Sequence, residues 1–186
     1  MVSTAAGAVG SAVGQIAKLM GCRTVGLTGG SVKAKLCLDE FGYDVAIDYK
    51  GQNVAEALAA ACPRGVDVYF DNTAGTISDA VLAQLAIGAR IVICGTASVP
   101  SWDPPPSGPR VERHMLVKRA RMSGFLVFDY QHRYEEAIAR LAEWVRKGRL
   151  RSREEIVDGI EHCPGSIAAL YRGENLGKRI IRLHSG

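Results

Sequence analysis

A short run of small residues near the start of the chain, Ala5-Ala6-Gly7-Ala8-Val9-Gly10, constrains the fold most. It follows a segment typical of the end of a buried strand and precedes an apolar helical pattern. Strand, glycine turn and helix are the context in which a turn binds phosphate. There Gly7 would let the backbone approach a pyrophosphate, and Gly10 would let the helix pack closely on the sheet. Small residues also make ordinary tight turns, so the run alone leaves both interpretations open.

The segment after the second predicted strand indicates which dinucleotide the turn would bind. An NAD site usually places an acidic residue about 20 residues beyond the glycine turn. The chain has no Asp or Glu between Met1 and Leu38, and the expected place holds Gly29, Gly30, Ser31 and Lys33. Small residues leave room for a 2′-phosphate and Lys33 supplies charge, which favours NADP(H) over NAD(H). The alternative is that Lys33 is a solvated residue in the first turn of a helix.

Composition excludes several classes of protein. The chain has 186 residues, of which 47% are hydrophobic and 23% charged, with a net charge of +4. That charge is too small to indicate a nucleic-acid partner, and no apolar run approaches the ~18 residues of a membrane span. The five cysteines are odd in number and form no CxxC pair, which favours reduced thiols in the cytoplasm. Because the histidines lack metal-ligand spacing, we expect no metal site.

Strand-like and helix-like segments alternate along most of the chain. The predicted strands are residues 2–4, 23–28, 45–48, 66–71, 89–94 and 122–127, and the predicted helices between them are residues 9–20, 31–40, 53–62 and 77–85. This alternation predicts an α/β fold: a doubly wound parallel Rossmann sheet with helices on both faces. Residues 96–110, rich in proline, are predicted to form a long irregular loop. An amphipathic helix follows at 134–147, then a strand, a helix and a strand at 154–157, 165–172 and 178–183.

Six short segments together resemble one family. They are residues 5–11, Asp48-Tyr49-Lys50, residues 68–72, Cys94-Gly95, residues 124–128 and residues 173–178. In this order and spacing they resemble the zinc-independent medium-chain dehydrogenase/reductases. The most similar subgroup comprises the prostaglandin reductases, the alkenal double-bond reductases and the curcumin-reductase-like enzymes. The resemblance covers essentially the whole chain, and the combined motifs are specific to the subgroup although each alone is not.

The resemblance implies an oxidoreductase with NADP(H) as cofactor. Such an enzyme reduces the C=C bond of an α,β-unsaturated aldehyde or ketone, with hydride going to the β-carbon and a proton to the α-carbon. Two other interpretations remain: a quinone oxidoreductase, which is a sister group with the same cofactor half, and a catalytically silent nucleotide-binding module. Val117 stands where the plant members place a tyrosine near the substrate, so the proton donor and the catalytic residues stay unassigned.

The resemblance also implies a set of cofactor-binding residues. The pyrophosphate would lie on Gly7, Ala8, Val9 and Gly10. The 2′-phosphate would contact Lys33 and Tyr49, and Asn72 would lie near the ribose and pyrophosphate. The nicotinamide end would be lined by Cys94, Gly95, Phe125 and Val127, and Asn175 would close over the cofactor from the C-terminal segment.

Individual residues of this set also have purely structural explanations. Tyr49 could be a half-buried tyrosine at a strand end, and Asn72 begins a segment with good turn chemistry. Cys94 has the character of a small core side chain, and Asn175 could cap its own turn. The joint pattern therefore carries the inference.

In the family a GroES-like catalytic domain precedes the nucleotide domain. The resemblance assigns residues 1–150 to the NADP-binding Rossmann domain, with a short first strand, and residues 151–186 to a segment that packs with the catalytic domain. In this chain Ile156, Val157, Ile180 and Ile181 would then lack that partner. We therefore predict an exposed apolar patch on the C-terminal segment, covered in a homodimer or by a rearranged tail.

Overall fold

A six-stranded parallel sheet forms the centre of the fold. The computed structural model describes residues 1–99 and 101–183. The strands are β1 (Val2–Ser3), β2 (Val25–Thr28), β3 (Val45–Asp48), β4 (Val66–Asp71), β5 (Leu85–Ile93) and β6 (Arg121–Gly124), in the order β3-β2-β1-β4-β5-β6. The order reverses between β1 and β4, which is the topological switch point where open α/β sheets bind ligands. The predicted doubly wound parallel sheet is confirmed.

Helices cover both faces of this sheet. They are α1 (Ala8–Leu19), α2 (Ser31–Asp39), α3 (Val54–Ala61), α4 (Gly75–Leu82), α5 (Glu112–Lys118) and α6 (Tyr134–Arg146). One buried cluster joins Leu58 of α3 and Val81 of α4 to Leu27 and Ile91 of the strands. A second cluster, on the α1 and α2 side, contains Cys37 and its neighbours. The two faces are therefore buried by separate sets of apolar side chains, as a doubly wound sheet requires.

The region after β5 differs from the sequence prediction. The helix α5 was not predicted, because it is short and the residue before it, Val111, offers no side-chain cap. Strand β6 ends at Gly124 and not at residue 127. There the Asp129 carboxylate accepts the Leu126 N–H at 3.2 Å and begins a 3-10 helix, Val127–Arg133. Residues 96–99 and 101–110 contain neither helix nor strand, as predicted, and Pro100 lies outside the described residues.

The C-terminal segment forms a small unit of its own. Strands β7 (Glu154–Asp158) and β8 (Lys178–Arg182) pair in parallel, and a short 3-10 helix and α7 (Cys163–Tyr171) connect them. Gln15 of α1 fastens the start of this unit, since its side chain donates to the Arg151 carbonyl at 2.9 Å and accepts the Arg151 N–H at 2.8 Å. The segment therefore extends the fold beyond the six-stranded sheet. Residues 184–186 of the predicted segment lie outside the described residues.

The C-terminal unit exposes apolar side chains, as predicted. Ile156 is 49% exposed, and α7 adds Ile167 at 62% and Tyr171 at 72%. Val157, Ile180 and Ile181 are half-buried within the two-stranded sheet. The predicted patch is thus centred on Ile156 and α7, and pairing of β7 with β8 partly shields the other three side chains.

A glycine in α1 generates the first prediction. A Cβ at Gly14 would lie 2.0 Å from Cζ of Tyr43, whose hydroxyl donates to the Gly10 carbonyl oxygen at 2.7 Å. Tyr43 is buried and anchored, so it cannot retreat cheaply. We predict that Gly14→Ala lowers the free energy of unfolding by about 2 kcal/mol or more, measured by urea denaturation followed by circular dichroism.

Gly165 of α7 is the matched control, because it is a helical glycine with no heavy atom within 4 Å of its Cβ direction. Gly165→Ala should leave stability unchanged or raise it by about 0.5–1 kcal/mol. Equal stability of Gly14→Ala and the native chain would contradict the close packing of α1 on Tyr43.

Candidate functional site

The glycine turn lies at the carboxyl end of β1, at the switch point of the sheet. Gly7 is the N-cap of α1, no side chain among the described residues caps that helix, and its first turn holds no acidic residue. Ala8 and Val9 are exposed there. The N–H groups of this first turn thus remain available to an anion, and the helix dipole favours one.

Gly10 serves a different purpose in this turn. A Cβ at Gly10 would lie 2.2 Å from the carbonyl oxygen of Thr4, a contact that no side chain tolerates. Thr4 itself has a φ of 52°, so the chain turns sharply between β1 and α1. The absence of a side chain at Gly10 therefore lets the helix begin directly on the end of β1.

Lys33 lies in the first turn of α2, which follows β2, and Tyr49 directly follows the neighbouring strand β3. Tyr49 Oη lies against Gly29, where a Cβ would be only 2.7 Å from that oxygen. Lys33 Nζ donates to the carbonyl oxygen of Gly173 at 2.7 Å. Burial, and then the nearby charge of Lys50, lower the pKa of the Lys33 ammonium. An anion placed here would offset both effects, and Lys33 keeps further N–H donors for it.

Asp48 belongs to the segment Asp48-Tyr49-Lys50, but its role in this region is visible only in the structure. Its Oδ1 accepts the Gly30 N–H at 2.6 Å and the Lys50 N–H at 2.9 Å. The hydrogen bond from Gly30 is the main cause of the lowered pKa of Asp48. Because Thr28 pairs with Asp48 across β2 and β3, the carboxylate reaches the β2–α2 turn from the adjacent strand. Asp48 therefore fixes the β2–α2 turn, from which the helix that contains Lys33 begins.

The turn before β8 lies beside the glycine turn. The Gly177 N–H donates to the Ala6 carbonyl oxygen at 3.2 Å, and Gly177 forms a bridge with Gly7. Asn175 Nδ2 donates to the Gly177 carbonyl oxygen at 2.7 Å, so this amide closes its own turn. The hydrogen bonds from Lys33 to Gly173 and from Gly177 to Ala6 thus hold the C-terminal unit beside the predicted cofactor site.

Asn72, Cys94 and Gly95 form a second group, on the other side of the switch point. Asn72 Nδ2 donates to the Ser3 carbonyl oxygen at 2.7 Å, and the Asn72 N–H donates to Ser3 Oγ at 2.8 Å. The N–H groups of Cys94 and Gly95 donate to the Asp71 carbonyl oxygen at 2.7 and 3.1 Å. Burial raises the pKa of the Cys94 thiol, which keeps it protonated and a poor nucleophile.

Asp71 holds this second group together, a role that the sequence analysis did not assign to it. Its side chain is 4% exposed. The carboxylate accepts hydrogen bonds from six neighbouring groups: Ser3 Oγ, Tyr69 Oη, Thr73 N, Thr73 Oγ1, Ala74 N and Ser78 Oγ. In the sequence Asp71 is the last residue of the predicted strand 66–71 and part of the segment 68–72, and neither pattern shows which groups it binds.

The turn after Asp71 holds strained backbone. Ala74 has φ 57° and ψ −161°, a combination that is essentially restricted to glycine. Ser98 Oγ lies 2.8 and 2.9 Å from the carbonyl oxygens of Thr73 and Ala74, and its single hydroxyl proton is shared between these two acceptors. Asp71 on one side and Ser98 on the other thus fix a strained conformation at the carboxyl edge of the sheet.

Phe125 and Val127 line an apolar groove between α1 and α6. The groove has a volume of about 440 Å³, and Ile16, Leu141 and Trp144 contribute to its walls. The ring of Phe125 meets those of Phe70 and Tyr130 edge-on, at centroid distances of 6.3 and 6.0 Å. Phe125 is therefore part of an aromatic cluster on the α1 side of the sheet, and its place at a nicotinamide end stays a prediction.

Two further findings limit the possible chemistry of the described part of the chain. No group of three or more His, Cys, Asp or Glu side chains within residues 1–99 and 101–183 could hold a metal ion. In the same ranges, no helix is both long and apolar enough to cross a membrane.

A doubly wound parallel sheet, with an uncapped helix N-terminus at its switch point, defines the Rossmann class of nucleotide-binding domain. The chain belongs to the zinc-binding dehydrogenase family, whose model matches residues 8–143. It is thereby a medium-chain dehydrogenase/reductase, as the six segments indicated.

Individual relatives indicate which subgroup of the family this chain is most similar to. The chain is 42% identical over 188 residues to the NADPH-dependent curcumin reductase of Escherichia coli, covering 98% of this chain and 54% of that protein. It is 43% identical over 185 residues to prostaglandin reductase 1 of Mus musculus, covering 98% and 56%. A crystal structure of CurA from Vibrio vulnificus in complex with NADPH matches with a TM-score of 0.92 and 41% identity, over 100% of this chain and 56% of that one. The chain thus spans about half the length of these relatives.

The strained turn generates the second prediction. Glycine adopts the backbone conformation of Ala74 without the steric cost of a Cβ. We predict that Ala74→Gly raises the free energy of unfolding by about 1 kcal/mol, measured by thermal and urea denaturation.

Ala83, at the end of α4 with an ordinary helical φ of −68°, is the matched control. Ala83→Gly should lower stability by about 0.5–1 kcal/mol, because glycine costs backbone entropy there. If both substitutions destabilised the chain alike, the assigned strain at Ala74 would be wrong.

Proposed function

We propose that this chain is the cofactor-binding part of an NADPH-dependent oxidoreductase that reduces the C=C bond of α,β-unsaturated aldehydes or ketones. The observation that carries the proposal is the convergence of three anion-binding features at one edge of the sheet. They are the open N-terminus of α1, the half-buried Lys33 and the Tyr49 hydroxyl. The names of the relatives, which are curcumin and prostaglandin reductases, support the substrate class.

The cofactor would lie across the switch point of the sheet. Its pyrophosphate would lie on the first turn of α1, at Gly7, Ala8, Val9 and Gly10. The adenosine half would extend over β2 and β3, with its 2′-phosphate between Lys33 and Tyr49. The phosphate would take Lys33 N–H groups that the Gly173 carbonyl leaves unused, so the same ammonium would link cofactor and C-terminal unit.

The nicotinamide half would extend in the opposite direction, over β4 and β5. There Asn72 would contact the ribose, and Cys94 and Gly95 would lie beneath the ring. Further lining residues would be Phe125 and Val127, and Asn175 would close the site from the C-terminal turn. The bound cofactor supplies the hydride, and the residues of this chain bind it, orient it and exclude water from it.

The substrate would be a small enone or alkenal, selected mainly outside this chain. We assign residues 1–150 to the NADP-binding domain, and propose that residues 151–186 pack with a GroES-like catalytic domain of the kind found in the family. The exposed face around Ile156 and α7 supports this, because an unshielded apolar face is typical of a docking surface.

We further propose a homodimer and a mechanism without zinc. The edge strand β6 leaves Met122 exposed, and Leu126, Val127 and Phe128 extend this apolar surface. Sedimentation velocity tests the dimer, and a purely monomeric species at micromolar concentration would contradict it.

The cysteines support a cytoplasmic location, which we also propose. All five are free thiols, which is typical of the reducing cytoplasm.

Lys33→Ala tests the assignment of the 2′-phosphate site and is the third prediction. Removal of the cation should weaken NADPH binding about tenfold or more and leave NADH binding unchanged, because only NADPH carries the 2′-phosphate. Fluorescence titration of the purified chain with each nucleotide measures both affinities.

Lys35→Ala is the matched control, since Lys35 lies in the same helix but is exposed and paired with Asp39. It should leave both affinities unchanged. Tighter binding of NADH than of NADPH by the native chain would overturn the cofactor assignment.

Turnover assays separate the remaining functions. Activity with alkenals supports the proposal, activity with quinones alone would assign the sister activity, and nucleotide binding without turnover of either class would favour a silent module.

A further inference from the structure

Asp71 is a buried carboxylate that the proposed function leaves without a role. Its six hydrogen-bond donors are hydroxyl and backbone N–H groups, all of them neutral. Burial of a charge costs free energy unless its hydrogen bonds recover the lost hydration. The six hydrogen bonds, at 2.6–3.2 Å, join the carboxylate to four different segments of the chain and so hold those segments in fixed positions relative to one another.

One branch of this network leads to Asn72. Ser3 Oγ donates to Asp71 Oδ1 at 3.2 Å and accepts the Asn72 N–H at 2.8 Å. The Asn72 side chain donates in turn to the Ser3 carbonyl oxygen at 2.7 Å. Ser3 thus connects the carboxylate to a residue that the proposed function places beside the cofactor.

A second branch leads to the strained turn and to β5. Asp71 Oδ1 accepts the N–H groups of Thr73 and Ala74 at 2.9 and 3.0 Å. The Asp71 carbonyl oxygen accepts those of Cys94 and Gly95. A Cβ at Gly95 would lie 3.0 Å from the Asn72 carbonyl oxygen, so these segments pack directly on one another.

A third branch leads away from the site. Asp71 Oδ2 accepts a hydrogen bond from Ser78 Oγ at 2.6 Å. Ser78 lies in α4, is buried, and packs beneath the sheet edge. Ser3 and Ser78 are therefore two buried serines on the same carboxylate, and only Ser3 connects it to Asn72.

We propose that Asp71 is a positioning residue for the nicotinamide half of the cofactor site, acting through Ser3 on Asn72 and through its own carbonyl on Cys94 and Gly95. This inference rests on the proposed function, since it assumes that NADPH occupies the switch point. The adenosine half is positioned separately, by Asp48 and the residues it fixes at the ends of β2 and β3. Loss of the Asp71 network should therefore affect one half of the cofactor and spare the other.

Ser3→Ala and Ser78→Ala test the inference, with NADPH and adenosine 2′,5′-bisphosphate as ligands. The bisphosphate carries only the adenosine half, so it reports on Lys33 and Tyr49. Ser3→Ala should weaken NADPH binding about tenfold and bisphosphate binding less than about twofold. Ser78→Ala removes the shorter of the two serine hydrogen bonds to Asp71, at 2.6 Å against 3.2 Å for Ser3, and should change neither affinity beyond about twofold, because Ser78 does not connect to Asn72.

Asp71→Asn is the more severe variant, with folding checked by circular dichroism. It should weaken NADPH binding at least as much as Ser3→Ala does, and again spare the bisphosphate. Equal losses for both ligands in Ser3→Ala, or a loss of NADPH binding in Ser78→Ala as large as in Ser3→Ala, would reduce Asp71 to a structural role and overturn the inference.

Binding measurements on the native chain distinguish failure of the proposed function from failure of the positioning inference. If it binds neither NADPH nor the bisphosphate, the proposed function itself fails. If it binds both and the variants show no difference between the ligands, only the positioning inference fails.

Discussion

The contact between Gly10 and the Thr4 carbonyl oxygen sets the geometry on which the rest of the site depends. It brings α1 so close to the end of β1 that a Cβ would lie 2.2 Å from that oxygen. Tyr43 holds the helix from the other side, by its hydrogen bond to the Gly10 carbonyl and its close approach to Gly14. The N-terminus of α1 is thereby aimed at the switch point, where its free N–H groups can meet an anion.

The two halves of the proposed cofactor site depend on separate carboxylates. Asp48 fixes the β2–α2 turn and so the surroundings of Lys33, whereas Asp71 fixes the ends of β4 and β5. Each carboxylate works mainly through backbone N–H groups and hydroxyls. This division explains how a site built from loops is held rigid by the strands beneath it.

The C-terminal unit adds a third element to the site. Lys33 and the glycine turn both contact it, through Gly173 and Gly177. A 2′-phosphate bound at Lys33 would therefore lie next to the C-terminal unit. The exposed face of that unit, around Ile156, is the one that we propose packs with a second domain. The proposed cofactor site and the proposed docking face are thus adjacent in this fold.

Local sequence patterns predicted the elements whose formation depends on residues that are neighbours in the chain. The alternation of strands and helices predicted the doubly wound sheet, and the spacing of Gly7 and Gly10 predicted a turn at its switch point. The roles of Asp48 and Asp71 could not be found in this way, because each depends on a partner distant in sequence, Gly30 for Asp48 and Ser3 for Asp71. The helix α5 lacks a capping signal, and the early end of β6 depends on one side chain, Asp129, which competes with strand pairing.

An NMR titration of the chain with NADPH tests the central claim most directly. If the open N-terminus of α1 binds the pyrophosphate, the backbone amide signals of Ala8 and Val9 should shift saturably, together with that of Gly30 near the 2′-phosphate site. Saturable binding that leaves these amides unshifted and perturbs another surface would contradict the account.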